Sequence, residues 1–234
     1  MSVTTERSDA LRALALRAQR ELAQATAQEV LAWAAQTFGD RVIVASNMQD
    51  AVLVDLASQA QPGVDVLFLE TGYHFAETIG TRDAVAAAYP VRIVDALPER
   101  TVAEQDAAEG KNLFARDPDR CCQLRKVIPL QATLAGYDAW VTGVRRVEAP
   151  TRANTPLIGW DSRHDLVKIN PLAAWGDEDL AAYIEAHSVL VNPLVDAGYP
   201  SIGCAPCTAK PAPGADPRSG RWAGRAKTEC GLHA

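Results

Sequence analysis

Val42-Ile43-Val44-Ala45, then Ser46-Asn47-Met48-Gln49-Asp50, then the apolar-rich run from Ala51 to Ala60, is the stretch that decides the fold. The first four residues read as a short buried strand, the polar five as a turn, and the remainder as a helix. The same order returns at Val64 to Leu69, a strand closed by Glu70-Thr71-Gly72 and followed by a helix from about Phe75 to Ala88. Further strands are predicted at Val91 to Val94, Ala139 to Thr142 and Leu166 to Ile169. Strands alternating with helices imply an α/β fold with a parallel, doubly wound sheet.

Outward from that centre, residues 8 to 38 read as one helix, with Leu11, Leu14, Ala18 and Leu22 at helical spacing and Gly39 as its stop. Cys121 to Leu134 reads as helical, made irregular by Pro129. Asp177 is read as the cap of a helix reaching His187. From Pro206 onward the chain changes character, with Pro211, Pro213, Gly214, Pro217 and Gly220 punctuating it. Two parts are therefore expected: an α/β domain over 1–205 and a flexible C-terminal tail over 206–234. Fully extended, the tail could carry Cys230 roughly 75 Å from Cys207, at ~3.3 Å per residue.

The chain has 234 residues, 48% hydrophobic and 22% charged, an ordinary globular composition. No apolar run approaches the ~20 residues that span a bilayer. The N-terminus lacks the basic-then-apolar layout of a secretory signal, so no membrane and a cytoplasmic location are the expectation. A formal net charge of −6 disfavours a nucleic-acid partner, which needs a broad basic surface. It is compatible with a small anion held by a few gathered arginines. Whether the protein is a homo-oligomer is open at this level.

All five cysteines fall in short motifs: Cys121-Cys122, Cys204-Ala-Pro-Cys207 and Glu229-Cys230-Gly231. In a reducing compartment such a pattern speaks for metal binding or thiol chemistry rather than disulfides. Four soft thiolates suit an iron–sulfur cluster or a zinc ion. Adjacent cysteines disfavour zinc, whose ligands are usually paired across two to four residues. Neighbours on a regular helix diverge by about 100°, so the tandem pair must lie at a helix start or kink. Cys230 stands apart, with Arg225 and Lys227 close in sequence. Cations lower a thiol pKa and raise its thiolate fraction, which makes Cys230 a candidate nucleophile.

Strand-to-helix turns present backbone N–H groups and helix N-termini to anions, so Ser46, Asn47, Met48, Gln49 and Leu69, Glu70, Thr71, Gly72 are candidate substrate contacts. Lys126, Arg145, Arg146, Arg218 and Arg221 add cations suited to sulfate and phosphate. No Gly-rich dinucleotide or Walker-type fingerprint is present.

Cys-Cys-x-Leu-Arg-Lys-Val-x-Pro-Leu (121–130), Gly-Cys-x-x-Cys-Thr (203–208) and Glu-Cys-Gly-Leu-His (229–233) together resemble the bacterial adenylyl-sulfate reductase family. The resemblance implies a Rossmann-like, adenine-nucleotide α-hydrolase-type sheet. It also implies a 4Fe–4S cluster on Cys121, Cys122, Cys204 and Cys207, with Cys230 as nucleophile. Ser46 to Gln49 corresponds to a modified pyrophosphate loop, and the basic residues named above to a phosphosulfate site. The implied activity is reduction of adenosine 5′-phosphosulfate to sulfite and AMP through a cysteine S-sulfonate, with thioredoxin as the reducing partner. The chain departs from relatives in lacking a Ser/Gly-rich loop at 46–49 and in carrying Asp117-Pro118-Asp119-Arg120 where some have a histidine. Two other classes stay in view: an ATP-using pyrophosphatase-fold enzyme such as a cluster-bearing tRNA thiolase, and a non-catalytic metal-binding regulator.

Overall fold

The computed structural model describes residues 3–224, 227, 231 and 232. Six strands form one sheet in the order β3-β2-β1-β4-β6-β5. They are β1 (Val42–Ala45), β2 (Val64–Leu69), β3 (Val91–Ala96), β4 (Ala139–Thr142), β5 (Ile158–Asp161) and β6 (Leu166–Ile169). All pairings are parallel except that of β5 with β6. The expected α/β class and the mostly parallel sheet are what the chain adopts.

Side-chain alternation assigns the two faces. Val42, Val44, Val66, Phe68 and Val141 enter one apolar cluster. Their neighbours Ile43, Leu67, Trp140 and Leu166 enter a second one on the opposite face. The first cluster is covered by α1 (Val3–Glu21), α2 (Ala27–Phe38), α3 (Val52–Ala60) and α9 (Asp177–His187), the second by α8 (Ile128–Leu134). Between them along the chain lie α4 (Ala76–Ala88), α5 (Val102–Glu109), α6 (Leu113–Arg116) and α7 (Pro118–Cys122), with a short α10 (Pro193–Asp196) after α9.

Several expectations are corrected. Residues 8–38 form two helices, because Thr26 starts a new one: its hydroxyl accepts from Glu29 N at 3.2 Å, while Glu29 Oε2 accepts from Thr26 N at 2.7 Å. An equivalent Thr101/Glu104 box starts α5, between β3 and the tandem cysteines. Strand β5 lies outside the strands predicted from the sequence; Ile-Gly-Trp-Asp has no clean alternation, and its pairing partner β6 gives it order. The predicted helix from Cys121 to Leu134 is α7, a π-helical turn over Gln123–Val127, and α8. Gly176, not Asp177, holds the cap position of α9, and Asp177 is its first helical residue.

Strand order reverses between β1 and β4, the neighbours at the centre of the sheet. The loops leaving their carboxyl ends diverge there and open a crevice, the usual ligand position in such folds.

Candidate active site

Asp117 caps α7, accepting from Arg120 N at 2.9 Å, and Pro118 occupies the first helical position. Immediately after Cys122 the helix widens into the π-turn. The tandem cysteines thus sit at a short helix running into a distortion, the irregular setting their adjacency requires. Both line one cavity with Cys204 and Cys207. The second pair lies on a 3₁₀ turn, where Cys207 N donates to Cys204 O at 2.9 Å. Cys121, Cys122 and Cys204 are buried and Cys207 is half-buried. Burial, then the neighbouring Cys122, Cys204 and Cys207, push the Cys121 thiol up to about 12. Among the described residues, no three His, Cys, Asp or Glu groups converge to hold a single metal ion. The four thiols instead surround a space.

Arg125 ties this cavity to the loop after β2. Its guanidinium is 3% exposed and donates to Thr71 O, to Arg100 O at 3.1 Å and to Gln105 Oε1 at 3.1 Å. It also lies 5.3 Å from the centre of the Tyr73 ring. Gly72 makes room for it: a Cβ there would stand 3.0 Å from Arg125 Nη2, and the φ of +74° favours glycine independently.

Beside the cysteines lies a cleft of ≈ 530 Å³, within the range of small-molecule sites. Lys126 and Trp222 belong to the walls of both spaces. Ser46, Asn47 and Gln49 enter the cleft from the loop after β1, and Leu69 from the end of β2. Arg145 enters from the loop after β4, and Arg218 and Arg221 from the C-terminal segment.

The other candidates stand elsewhere. Met48 is 0% exposed, turned into the core by a backbone φ of +59°. Glu70 Oε1 accepts from Gly72 N at 2.7 Å and closes the turn. Thr71 lines the cysteine cavity, its Oγ1 3.3 Å from Cys204 Sγ. Gly72 packs on Arg125. Arg146 points away, donating to Thr155 O at 2.8 Å.

The cations of the cleft are unequally placed. Arg145 meets Asp177 at 2.8 Å and Glu148 at 3.5 Å, and Arg152 pairs with Glu148. Arg221 donates to Ile202 O at 3.2 Å and lies 4.8 Å from the centre of the Trp222 ring. Among the wall residues that the sequence reading does not single out are Asp50 and His74. Burial raises the Asp50 carboxyl above its ordinary value. Burial lowers the pKa of His74, whose Nε2 stands 2.7 Å from Leu69 O. Their position directly after the ends of β1 and β2 was the available signal.

Part of the segment after Pro206 is tied down. Thr208 bridges Arg221, Ala209 N donates to Gly220 O at 2.9 Å, and Trp222 N donates to Cys207 O at 3.0 Å. Lys227 pairs with Asp119. Cys230, the candidate nucleophile, lies outside the described residues.

The phosphoadenosine phosphosulfate reductase domain family matches residues 41–210. Relatives named adenosine 5′-phosphosulfate reductase include two matches over nearly the full chain. That of Mycolicibacterium smegmatis is 69% identical over 231 residues, covering 99% of this chain and 98% of the relative. That of Mycobacterium tuberculosis is 62% identical over 241 residues, covering 96% and 95%. Among solved structures, a phosphoadenylyl-sulfate reductase from Candida auris in a phosphate complex superposes with a TM-score of 0.71 at 30% identity, covering 89% of this chain and 99% of that one. A Candida glabrata FMN adenylyltransferase shares the fold at 14% identity, with a TM-score of 0.56 over 88% of this chain and 74% of that one. With its sheet, its cleft and its near full-length relatives in agreement, the chain belongs to the phosphoadenosine phosphosulfate reductase domain family, in company with bacterial adenosine 5′-phosphosulfate reductases.

Proposed function

We propose that this protein reduces adenosine 5′-phosphosulfate to sulfite and AMP in sulfate assimilation. The observation that carries the reading is the shared wall: Lys126 and Trp222 line both a nucleotide-sized cleft and a cavity bounded by four thiols. The relatives named for adenosine 5′-phosphosulfate are 62–69% identical to this chain, against 30% for the phosphoadenylyl-sulfate reductase, which favours the substrate without a 3′-phosphate.

Cys121, Cys122, Cys204 and Cys207 suit a 4Fe–4S cluster. In a cubane each thiolate binds a different iron, so the sulfurs must enclose a body rather than meet at a point. The buried indole Nε1 of Trp222, in the same cavity wall, has no acceptor among the described residues, and a cluster sulfur would supply one. When bound, such a cluster contributes a fixed anionic centre that ties two distant chain segments together.

Lys126, Arg218 and Arg221 would hold the phosphosulfate, with the loop from Ser46 to Gln49 bordering the nucleotide. The Cys230 thiolate attacks the sulfate sulfur. A sulfur–sulfur bond forms, the bond from sulfur to the bridging oxygen breaks, and AMP departs with that electron pair. A dithiol partner, thioredoxin in this reading, then attacks the Cys230 sulfur and releases sulfite. Its second thiol frees Cys230, so the dithiol is oxidised to a disulfide as the sulfur gains two electrons. The cluster is not required as an electron carrier. In this reading the segment over 206–234 delivers Cys230 and the enzyme works in the cytoplasm. Among the described residues no helix is long and apolar enough to cross a membrane.

Intact-mass measurement after adding adenosine 5′-phosphosulfate without reductant tests the scheme. An adduct of about 80 Da on Cys230, discharged by reduced thioredoxin, is the expected result for a covalent intermediate. Cys230→Ser should keep its iron and nucleotide binding yet lose turnover. An adduct on another cysteine, or an active Cys230→Ser, would overturn it.

A further inference from the structure

Tyr73, in the loop after β2, is stitched to both neighbours of the four-thiol cavity. Its backbone N–H donates to Thr71 Oγ1 at 3.2 Å. Its carbonyl oxygen accepts at 2.7 Å from the N–H of Ala205, in the turn between Cys204 and Cys207. The ring lines the cavity beside Phe114 and Arg125. Phe114 meets it edge-on with centroids 5.3 Å apart, and the guanidinium carbon of Arg125 lies 5.3 Å from the ring centre.

The phenol Oη is buried and has no hydrogen-bond partner among the described residues. A stranded buried hydroxyl is costly, and native structures almost always satisfy such groups. Its O–H is a donor, so the missing partner is an acceptor. The anionic groups whose charge bears on it are the Asp106 carboxylate on α5 and the thiolates of Cys121 and Cys204. Of these, the two cysteines share the cavity wall with Tyr73, and Asp106 is not part of that wall. The Arg125 cation beside the ring favours negative charge on the phenol oxygen, which strengthens it as a donor. We propose that Tyr73 donates its phenolic hydrogen to a sulfur of the 4Fe–4S cluster, from the wall opposite in sequence to the one that carries Trp222. The inference deepens the cluster reading and rests on it. A hydrogen bond to a cluster sulfur draws charge from the anionic centre and tightens the hold of the protein on it. Loss of one bond to a charged group corresponds to roughly tenfold in cluster release.

The test compares full-length, anaerobically purified wild type with Tyr73→Phe, which removes one oxygen and keeps the ring between Phe114 and Arg125. Resonance Raman spectra in light and heavy water read the bond directly, because iron–sulfur stretches coupled to an exchangeable hydrogen shift on deuteration. Part of that shift should be missing in Tyr73→Phe, an effect that packing of the ring alone would not produce. Bleaching by a chelator should be roughly tenfold faster, and Tm should fall. A phenol left unpaired predicts the opposite sign of the melt, since its removal relieves a burial cost. Replacing Tyr73 by 3-fluorotyrosine, whose hydroxyl is more acidic, should enlarge the deuterium shift and slow the bleaching. Iron–sulfur bands that respond to heavy water in Tyr73→Phe as they do in wild type would overturn the inference. A matching change of Tm in Asp106→Asn would then assign the phenol to that carboxylate. Wild-type protein without iron and acid-labile sulfide would instead defeat the cluster reading, and this donor with it.

Discussion

The hydroxyl oxygen of Thr71 lies 3.3 Å from the sulfur of Cys204, joining the loop after β2 to a cysteine motif 133 residues further along the chain. The same hydroxyl accepts from Tyr73 N at 3.2 Å and so shapes the turn that carries Arg125's acceptor.

Thr71→Val keeps the side-chain shape and removes both contacts. A hydrogen bond of this kind contributes about 1 kcal/mol, or roughly 2–4 °C in Tm for a chain of this size. We expect that fall in a thermal melt of anaerobically purified protein, which on the proposed cluster reading should hold about four irons and four sulfides per chain. Bleaching of the visible absorbance by a chelator should accelerate as well. An unchanged melt together with unchanged bleaching would contradict the role given to Thr71.

Arg125→Met should be far more damaging. It strands two buried acceptors, the Thr71 carbonyl and Gln105 Oε1, each costing about 1–3 kcal/mol when left unsatisfied, together with the part-buried Arg100 carbonyl. Urea unfolding should therefore report a loss of at least about 2 kcal/mol. Arg125→Lys should recover less than half of it, because one ammonium cannot reproduce the planar fork that spans Thr71, Arg100 and Gln105.

Two glycines separate an effect on Arg221 from an effect on the backbone beneath it. A Cβ at Gly203 would lie 2.2 Å from Arg221 Nη2, while one at Gly220 would lie 1.9 Å from the carbonyl oxygen of Ala209. Gly203→Ala should displace only the guanidinium, weakening AMP by about tenfold with a nearly unchanged melt. Gly220→Ala meets rigid backbone and should open the Ala209–Gly220 pairing. AMP affinity should fall and tryptic cleavage after Arg218 should quicken together. Calorimetric titration and timed proteolysis distinguish the two.

Asp138 gives the fold an acid dependence. Burial alone would raise its carboxyl, but hydrogen bonds and charge from Arg41 and Arg7 outweigh this and hold it below the ordinary range. A depressed folded value contributes stability that is complete above the unfolded value of about 4 and lost as pH falls through the folded value. Asp138→Asn should therefore cost about 1 kcal/mol at pH 7, after allowance for solvent screening, and less near pH 3, where the unfolded carboxyl is already mostly protonated. Urea unfolding at the two pH values checks the sign; an equal loss at both would refute it.

The sequence by itself determined the parts governed by local rules. Apolar runs between turn residues marked β1, β2, β3, β4 and β6, because burial and period are written in neighbouring residues. The tandem cysteines demanded an irregular helix, and the chain supplies a short helix and a π-turn there. Cap signals at Thr26 and Thr101 were equally local and went unread. Only the tertiary structure decided where individual side chains go. Met48 and Gln49 are adjacent in one turn, yet a positive φ at Met48 buries it while Gln49 faces the cleft. Arg145 and Arg146 are likewise neighbours with opposite directions. The edge strand β5, the reach of Thr71 to Cys204 and the grip of Arg163 on Gly231 all join residues distant in sequence. Such contacts depend on which elements pack side by side, and no short window of residues contains that information.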